Sequence, residues 1–377
     1  MTNSLKSGDS SHLFTSHFSS LQDPLRIKKG NYLYPLEEIL FLTISAVISG
    51  FEGWDEIAFF GRNKLEWLRK YFPYEYGTPS HDVINRVFNN LNTKQFNVCF
   101  INWVNSIADL CPDRVISIDG KTIRGAASNF RNSKLHIVTA FCNKNNLSIG
   151  QETVSDKSNE IIAIPKLLEI IAIKGCIVTI DAMGCQKKIA SKIVEQGADY
   201  ILMVKDNQQE LHQQIKTTFK VQKPMSVHTQ YEFAHGRIEE RYCEIITNLD
   251  YLDDKDQWEK ISAVVRVTAK RTIKKTGITS QEERHYITSI KQLNAKGLTD
   301  AIRSHWGIEN KLHWTLDVVM NEDNQLKRKG YSAENFNIIR KIALGLINKQ
   351  TDFVSTKKLK MKRAALDDGY REKILNI

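Results

Sequence analysis

Several signals are missing from this chain, and each absence narrows the answer. None of its six cysteines (Cys99, Cys111, Cys142, Cys176, Cys185, Cys243) forms a CxxC pair, and they are spread thinly over 377 residues. That excludes a disulfide framework or a zinc ribbon and predicts reduced thiols in a cytoplasmic protein. The most apolar run, Ile39 to Phe51, is about thirteen residues, short of the roughly 20 that span a bilayer. It reads as a buried helix, with no membrane partner. Residues 1–30 are polar and Ser-rich, have no signal-peptide apolar core, and read as a flexible lead-in. No internal repeat and no low-complexity segment is present. What the chain has is length for two or three domains, 25% charged residues and a net charge of +10 with a pI near 9.1. That excess favours a polyanionic partner without naming one.

Periodicity divides the chain. From residue 31 to about 110 the pattern is helical. Leu36–Gly50 starts after a proline and stops at a glycine, Trp54–Tyr71 follows, and Ser80 caps a third run. No catalytic spacing occurs there, and a small helical domain is expected. From Arg114 the texture changes. Val115–Gly120 reads as a strand. Leu135–Cys142 and Leu147–Val154 read as a hairpin, and Ser158 is placed to cap a helix through Ala172. Ile177–Asp181 is a strand, Gln186–Gln196 a helix and Tyr200–Lys205 a strand. Three strands, helix, strand, helix, strand predicts an α/β fold with an RNase H-like core over 111–350. A β-rich insertion spans about 206–291 and carries the basic run Lys270, Arg271, Lys274, Lys275 in a hairpin loop. Helices are expected over Thr299–Asp317 and Ser332–Asn348, and a basic C-terminal tail over 351–377.

Three acids stand out. Asp119 and Asp181 each end a run of β-branched residues, and Glu309 lies in a long amphipathic helical stretch. In the expected topology the strands of Asp119 and Asp181 are neighbours, so the two carboxylates can share a metal. Mg²⁺ takes a few carboxylates and keeps waters for substrate phosphate. Two such ions about 4 Å apart assist both the attacking and the leaving oxygen of an in-line displacement. A carboxylate from a crossing helix completes the second ion's shell. Each acid alone reads more simply: an Asp after a strand is commonly a turn residue, and a helical Glu is commonly solvated.

The chain also resembles the DDE-type insertion-sequence transposases of the ISAs group, including the H-repeat-associated proteins. The resemblance runs over nearly the whole length. It rests on Gly77-Thr-Pro-Ser-His-Asp82 with Arg86-Val-Phe88, Ile118-Asp-Gly-Lys-Thr-Ile-Arg-Gly125, Lys157-Ser-Asn-Glu-Ile161, Asp181-Ala-Met-Gly-Cys-Gln-Lys188, Lys205–Gln208, His235-Gly-Arg-Ile-Glu239 and Arg303–Trp314. It implies a DDE transposase with a catalytic and metal-binding Asp119, Asp181, Glu309 set and two Mg²⁺ (or Mn²⁺) ions. The partners it implies are double-stranded DNA, as inverted-repeat ends and target, and a homodimer on DNA at the bacterial nucleoid. Two departures stand out. Asp206 replaces the family's usual glycine, and the positions around the last acid read Ile302, His305, Glu309, Leu316 where related transposases carry Tyr, Arg, Glu and Lys.

Lys121, Arg124, Lys205, Asn207, Gln208, Arg237 and His305 are the expected DNA contacts. His305, Glu309 and His313 share one helical face. That spacing also suits zinc, but it is not HExxH, so the histidines are read as neighbours of Glu309. Trp306 and Trp314 read as core or interface aromatics, and Glu322 and Asp323 as supports of the helix. The alternatives are a catalytically silent DNA-binding descendant and an RNase H-like nuclease that hydrolyses without joining.

Overall fold

The computed structural model describes residues 16–25, 33–108, 114–126, 135–154, 160–234, 236–292 and 294–377. Most of the expected lead-in, the Ser158 cap, Lys157 and His235 lie outside them. The N-terminal part is helical: α1 Leu36–Ile48, α2 Trp54–Asn63, α3 Leu65–Leu68, α4 His81–Asn90 and α5 Thr93–Ile107. The single run expected over Trp54–Tyr71 breaks at Lys64, whose backbone (φ −115°, ψ 18°) leaves the helical region. Ser80 does cap α4, its side chain accepting from Val83 N.

A nine-stranded mixed sheet follows, ordered β3-β2-β1-β4-β5-β9-β8-β7-β6. Its strands are β1 Val115–Ile123, β2 Leu135–Cys142, β3 Leu147–Val154, β4 Ile177–Ile180, β5 Asp199–Val204, β6 Ser226–Ala234, β7 Arg237–Ile246, β8 Ala263–Ile273 and β9 Thr279–Thr288. The first three strands are antiparallel, whereas β1, β4 and β5 run parallel. Helices α6 Glu160–Ile170 and α7 Lys187–Glu195 make the crossovers, as parallel strands require. The β-rich segment is not a separate sheet: β9 pairs antiparallel with β5, so the insertion extends the same sheet. It opens with a helix, α8 Gln209–Val221, before its strands begin. The last β5–β9 pair is Val204 with His285, and β9 begins at Thr279. At about 3.4 Å per residue the insertion therefore projects roughly 20 Å past the end of β5.

Helix α9, Ala295–His305, crosses the sheet on the face bearing Ser117, Asp119 and Lys121, and buries Leu298, Ala301 and Ile302 against Ile201, Met203 and Tyr286. The long helix α10, Ser332–Lys349, is almost wholly buried and packs on α1, α5 and β3, joining the N-terminal helices to the sheet. The segment expected as a basic tail folds into two helices, α11 Lys357–Leu366 and α12 Asp368–Leu375, which pack on α1. Its lysines mask an apolar set (Met361, Ala364, Tyr370, Ile374, Leu375) too sparse to read from periodicity.

Candidate active site

Parallel pairing of β1 with β4 aligns Ile118 with Ile180, so Asp119 and Asp181, one residue further along each chain, are neighbours. Asp119 does not end its strand, as expected, but sits in its middle, opposite Thr139 of β2. Its Oδ1 accepts from Gly120 N at 2.9 Å. Asp181 lies just beyond β4 and caps the turn Ala182–Gly184, accepting from Met183 N at 3.1 Å and Gly184 N at 3.4 Å.

The third acid arrives from above. His305, at the end of α9, shares a 3.0 Å hydrogen bond between its Nδ1 and Thr179 Oγ1 on β4, and Thr179 donates to Ser117 Oγ on β1 at 3.2 Å. Gly307 then passes so close to Asn143 that a Cβ there would overlap the Asn143 Oδ1. The expected α-helix over Thr299–Asp317 ends here. It starts earlier, at Ala295, and gives way to π-helical windings over Ile308–His313 and Thr315–Val319. Such wide turns recur at functional sites. Glu309 rides on the first winding, and His313 Nδ1 stands 3.5 Å from Asp119 Oδ2.

The electrostatics tie these groups together. Asp119 is pushed up to about 7, first by burial, then by Asp181, with Glu309 and Glu160 adding and the Gly120 amide opposing. Asp181 is also raised, by burial and then by Glu160, against the pull of its two turn amides and Lys205. Glu309 is raised by burial and by Asp181, with Arg284 opposing. Burial depresses His305 to about 4 and His313 to about 3, so both rings are neutral near pH 7. Among the described residues no three His, Cys, Asp or Glu side chains already stand close enough together to hold a metal ion. The donor set nevertheless fits a hard divalent cation: partly buried carboxylate oxygens that repel one another are relieved by a cation between them.

The expected DNA contacts divide into inward-facing and exposed groups. Lys121 is largely buried and held by Asp317 and, at 2.6 Å, by Glu322 Oε2, so its charge is directed inward to carboxylates. Asn207 Nδ2 donates to Ala182 O at 2.5 Å and Gln208 Nε2 to Cys185 O at 2.9 Å. Both amides thus brace the Asp181 turn. His305 is occupied with Thr179. Arg124 is 83% exposed beside Asp323, and Lys205 is exposed near Asp181. Arg237 is exposed at the far tip of the insertion, paired across to Ile273, away from the three acids. Glu322 is fully buried among Lys121, Asn337 and Arg340, and Trp314, expected as a core or interface aromatic, is 55% exposed and so is not a core residue.

Residue-level reading missed Glu160, His136 and Arg284. Glu160 Oε1 lies 2.6 Å from His136 Nε2, and a Cβ on Gly120 would collide with both side chains. The signal was present, since Glu160 lies inside the Lys157–Ile161 block and Gly120 follows Asp119, but nothing local joined the two. Asp206, the departure from glycine, shares a 3.1 Å hydrogen bond with His212 Nδ1.

Comparison with known proteins bears on this arrangement. The family model described as Transposase DDE domain matches residues 110–346, and the one described as DDE_Tnp_1-associated matches residues 15–104. The chain belongs to the DDE transposase family. It is 40% identical to "Putative transposase YncI" of Escherichia coli O157:H7, over 92% of this chain and 91% of that protein. It is 40% identical to "H repeat-associated putative transposase YhhI" of Escherichia coli K12, over 91% and 92% of the two chains. A shorter relative, "Inactive transposase YbfQ" of the same strain, is 51% identical over 55 residues, 15% of this chain and 66% of that one. Asp119, Asp181 and Glu309 all fall within the segment matched by the transposase domain.

Proposed function

We propose that this chain is a metal-dependent DNA transposase that cleaves at the ends of an insertion sequence and joins the freed 3′ ends to target DNA. One observation carries the reading: the parallel β1–β4 register makes Asp119 and Asp181 neighbours, and Glu309, on a π-helical winding, comes near enough to be raised by Asp181. The sheet order, antiparallel through β3-β2-β1 and parallel through β1-β4-β5, supports an RNase H-like core.

Asp119, Asp181 and Glu309 would hold Mg²⁺ or Mn²⁺, with two ions the working number. Bound there, such ions would activate a water or a DNA 3′-hydroxyl and stabilise the departing oxygen of an in-line displacement. The chain's own residues prepare that site. The amides of Met183 and Gly184 orient Asp181, the neutral His313 faces Asp119, and Arg284 supplies positive charge beside Glu309. Arg124, Lys205 and Arg237 are the exposed cations of the expected DNA set and remain its contacts in this reading. Synapsis of two ends requires two copies of the chain on DNA.

The test is incubation with Mg²⁺ or Mn²⁺ and DNA spanning both flanks of the gene, where this reading expects inverted repeats. Strand transfer supports the reading, and cleavage without joining indicates a nuclease on the same fold. Asp119→Asn, Asp181→Asn and Glu309→Gln should each lower the rate by at least a hundredfold; full activity in any of them refutes that residue's assignment. A silent descendant that binds DNA without cutting it is the second reading, and the relative named an inactive transposase is what favours it. Binding of the ends with no cleavage in either metal would select it.

A further inference from the structure

The same face that bears Asp119 carries Lys121 two residues on, and Lys121 begins a buried chain of charges. Its Nζ is held by Asp317 and by Glu322 Oε2 at 2.6 Å. The other oxygen of Glu322 accepts from Asn337 Nδ2 at 2.7 Å and lies 3.8 Å from Arg340 Nη1. Arg340, 1% exposed, donates through Nε and Nη2 to Glu52 Oε2 at 2.9 and 2.7 Å, and through Nη1 to Gln325 Oε1 at 2.8 Å. Glu52 sits between α1 and α2, and its carbonyl accepts from Lys327 Nζ at 2.7 Å. The next residue of α10, Lys341, donates to Thr139 Oγ1 at 2.8 Å and Gln151 Oε1 at 2.6 Å. Thr139 is the cross-strand partner of Asp119. One helix therefore grips both the neighbour of Asp119 across the sheet and, through Glu322, its neighbour along the strand.

Stability alone does not account for such a chain. Replacing buried ion pairs by apolar side chains of similar volume is often neutral or stabilising, whereas removing one partner strands a charge. What a fully satisfied buried network supplies is geometry, because each side chain has one arrangement that pairs its charges. Burial would raise Glu322; Lys121 and Arg340 outweigh it and keep that carboxyl below its ordinary range, whereas burial raises Glu52 against the pull of Arg340.

We infer that Lys121 is a positioning residue for Asp119, and that the chain Lys121–Glu322–Arg340–Glu52 fixes the acidic strand to the N-terminal helices. Nothing in this role needs Lys121 to touch DNA. The inference rests on the proposed cleavage activity.

The experiment compares the full-length protein with Lys121→Arg and with the double variant Lys121→Met/Glu322→Met, which removes both charges of that link together and leaves Arg340 paired with Glu52, at the loss of the Asp317 and Asn337 contacts. Single-turnover end cleavage, DNA affinity, the Mn²⁺ concentration giving half-maximal rate and thermal unfolding are measured on each. A positioning role predicts that the double variant binds DNA within twofold of wild type and melts within a few degrees of it. It should cleave at least tenfold more slowly and need at least fivefold more Mn²⁺, while Lys121→Arg stays within threefold on every measure. Should the double variant not fold, Arg340→Lys, which keeps the charge but loses the fork to Glu52 and Gln325, replaces it with the same expectation. Wild-type cleavage and Mn²⁺ dependence in a folded variant overturn the inference and leave the proposed function standing. A wild type that never cleaves overturns both. A double variant that loses DNA affinity in proportion to rate makes Lys121 a DNA contact and overturns the inference alone.

Discussion

At the residue scale, the shape of the site follows from where charge is forced together. Asp119 is raised from an ordinary 3.8 to about 7, so the folded state binds its proton more tightly than the unfolded chain. This group's contribution is then complete below about pH 4 and is lost as pH rises through about 7 in metal-free protein. Asp119→Asn keeps an oxygen for the Gly120 amide and removes the repulsion. In EDTA at pH 7.5 we expect it to melt several degrees above wild type, with the gap closing near pH 4. An unchanged melting temperature at pH 7.5 would mean the acids do not repel as described. His305 and His313 act with the opposite sign: held neutral, they cost stability as pH falls below about 6.5. Comparing variant with wild type at each pH cancels His305, which Asp119 does not touch, while His313, 3.5 Å from Asp119, adds to the difference only below about pH 6.5. Gly120 gives a second residue-scale prediction. A Cβ there meets Glu160 and His136, and overpacking of this kind costs about 1–3 kcal/mol. Gly120→Ala should lower the melting temperature and cleavage together, and calorimetry beside a cleavage assay would show it.

At the element scale, the acids are held by short pieces whose roles no periodicity reveals. The strands and their hairpin were legible: Leu135–Cys142 and Leu147–Val154 were read with the bounds the structure gives, because β-branched runs flank an Asn-rich turn. The π-helical windings were not. From Thr299 to Asp317 the apolar spacing suits an α-helix, and only packing of Gly307 on Asn143 and of His305 on Thr179 shows where the winding changes. The Lys205–Gln208 segment was read as a set of DNA contacts, yet Asn207 and Gln208 face backwards onto the Asp181 turn. Asn207→Ala removes one such bond, of order 1 kcal/mol. It should slow cleavage about three- to tenfold with DNA affinity intact; a matching loss of affinity would restore the DNA-contact reading.

At the scale of the whole molecule, the C-terminal helices show how far composition misleads. Lys357, Lys358, Lys360, Lys362 and Arg363 look like a solvated tail, but Arg371 lies 3.9 Å over the Trp67 ring and Trp67 Nε1 donates to Glu372 at 2.9 Å. A chain ending at residue 350 would expose Trp67 and the apolar face of α1. We expect it to melt well below the full chain and to aggregate; a soluble truncation with the parent melting temperature would show the helices to be dispensable. The N-terminal helices are likewise not loosely tethered, because α10 buries side chains against them and against the sheet at once.

The sequence by itself determined the strands from β1 to β5 and their order, because strand alternation and β-branched runs are local and survive without any partner, and it put forward Asp119, Asp181 and Glu309 as the candidate acids. It also carried the family. The tertiary structure decided what each side chain is for. Lys121 turns inward because Glu322 and Asp317, some two hundred residues away, are there to receive it. Glu160 joins the site because α6 returns over Gly120. Asp119 is raised because folding buries it and brings Asp181 and Glu309 beside it. Charge interactions act through space and over a few ångströms, so they are written only once distant segments meet.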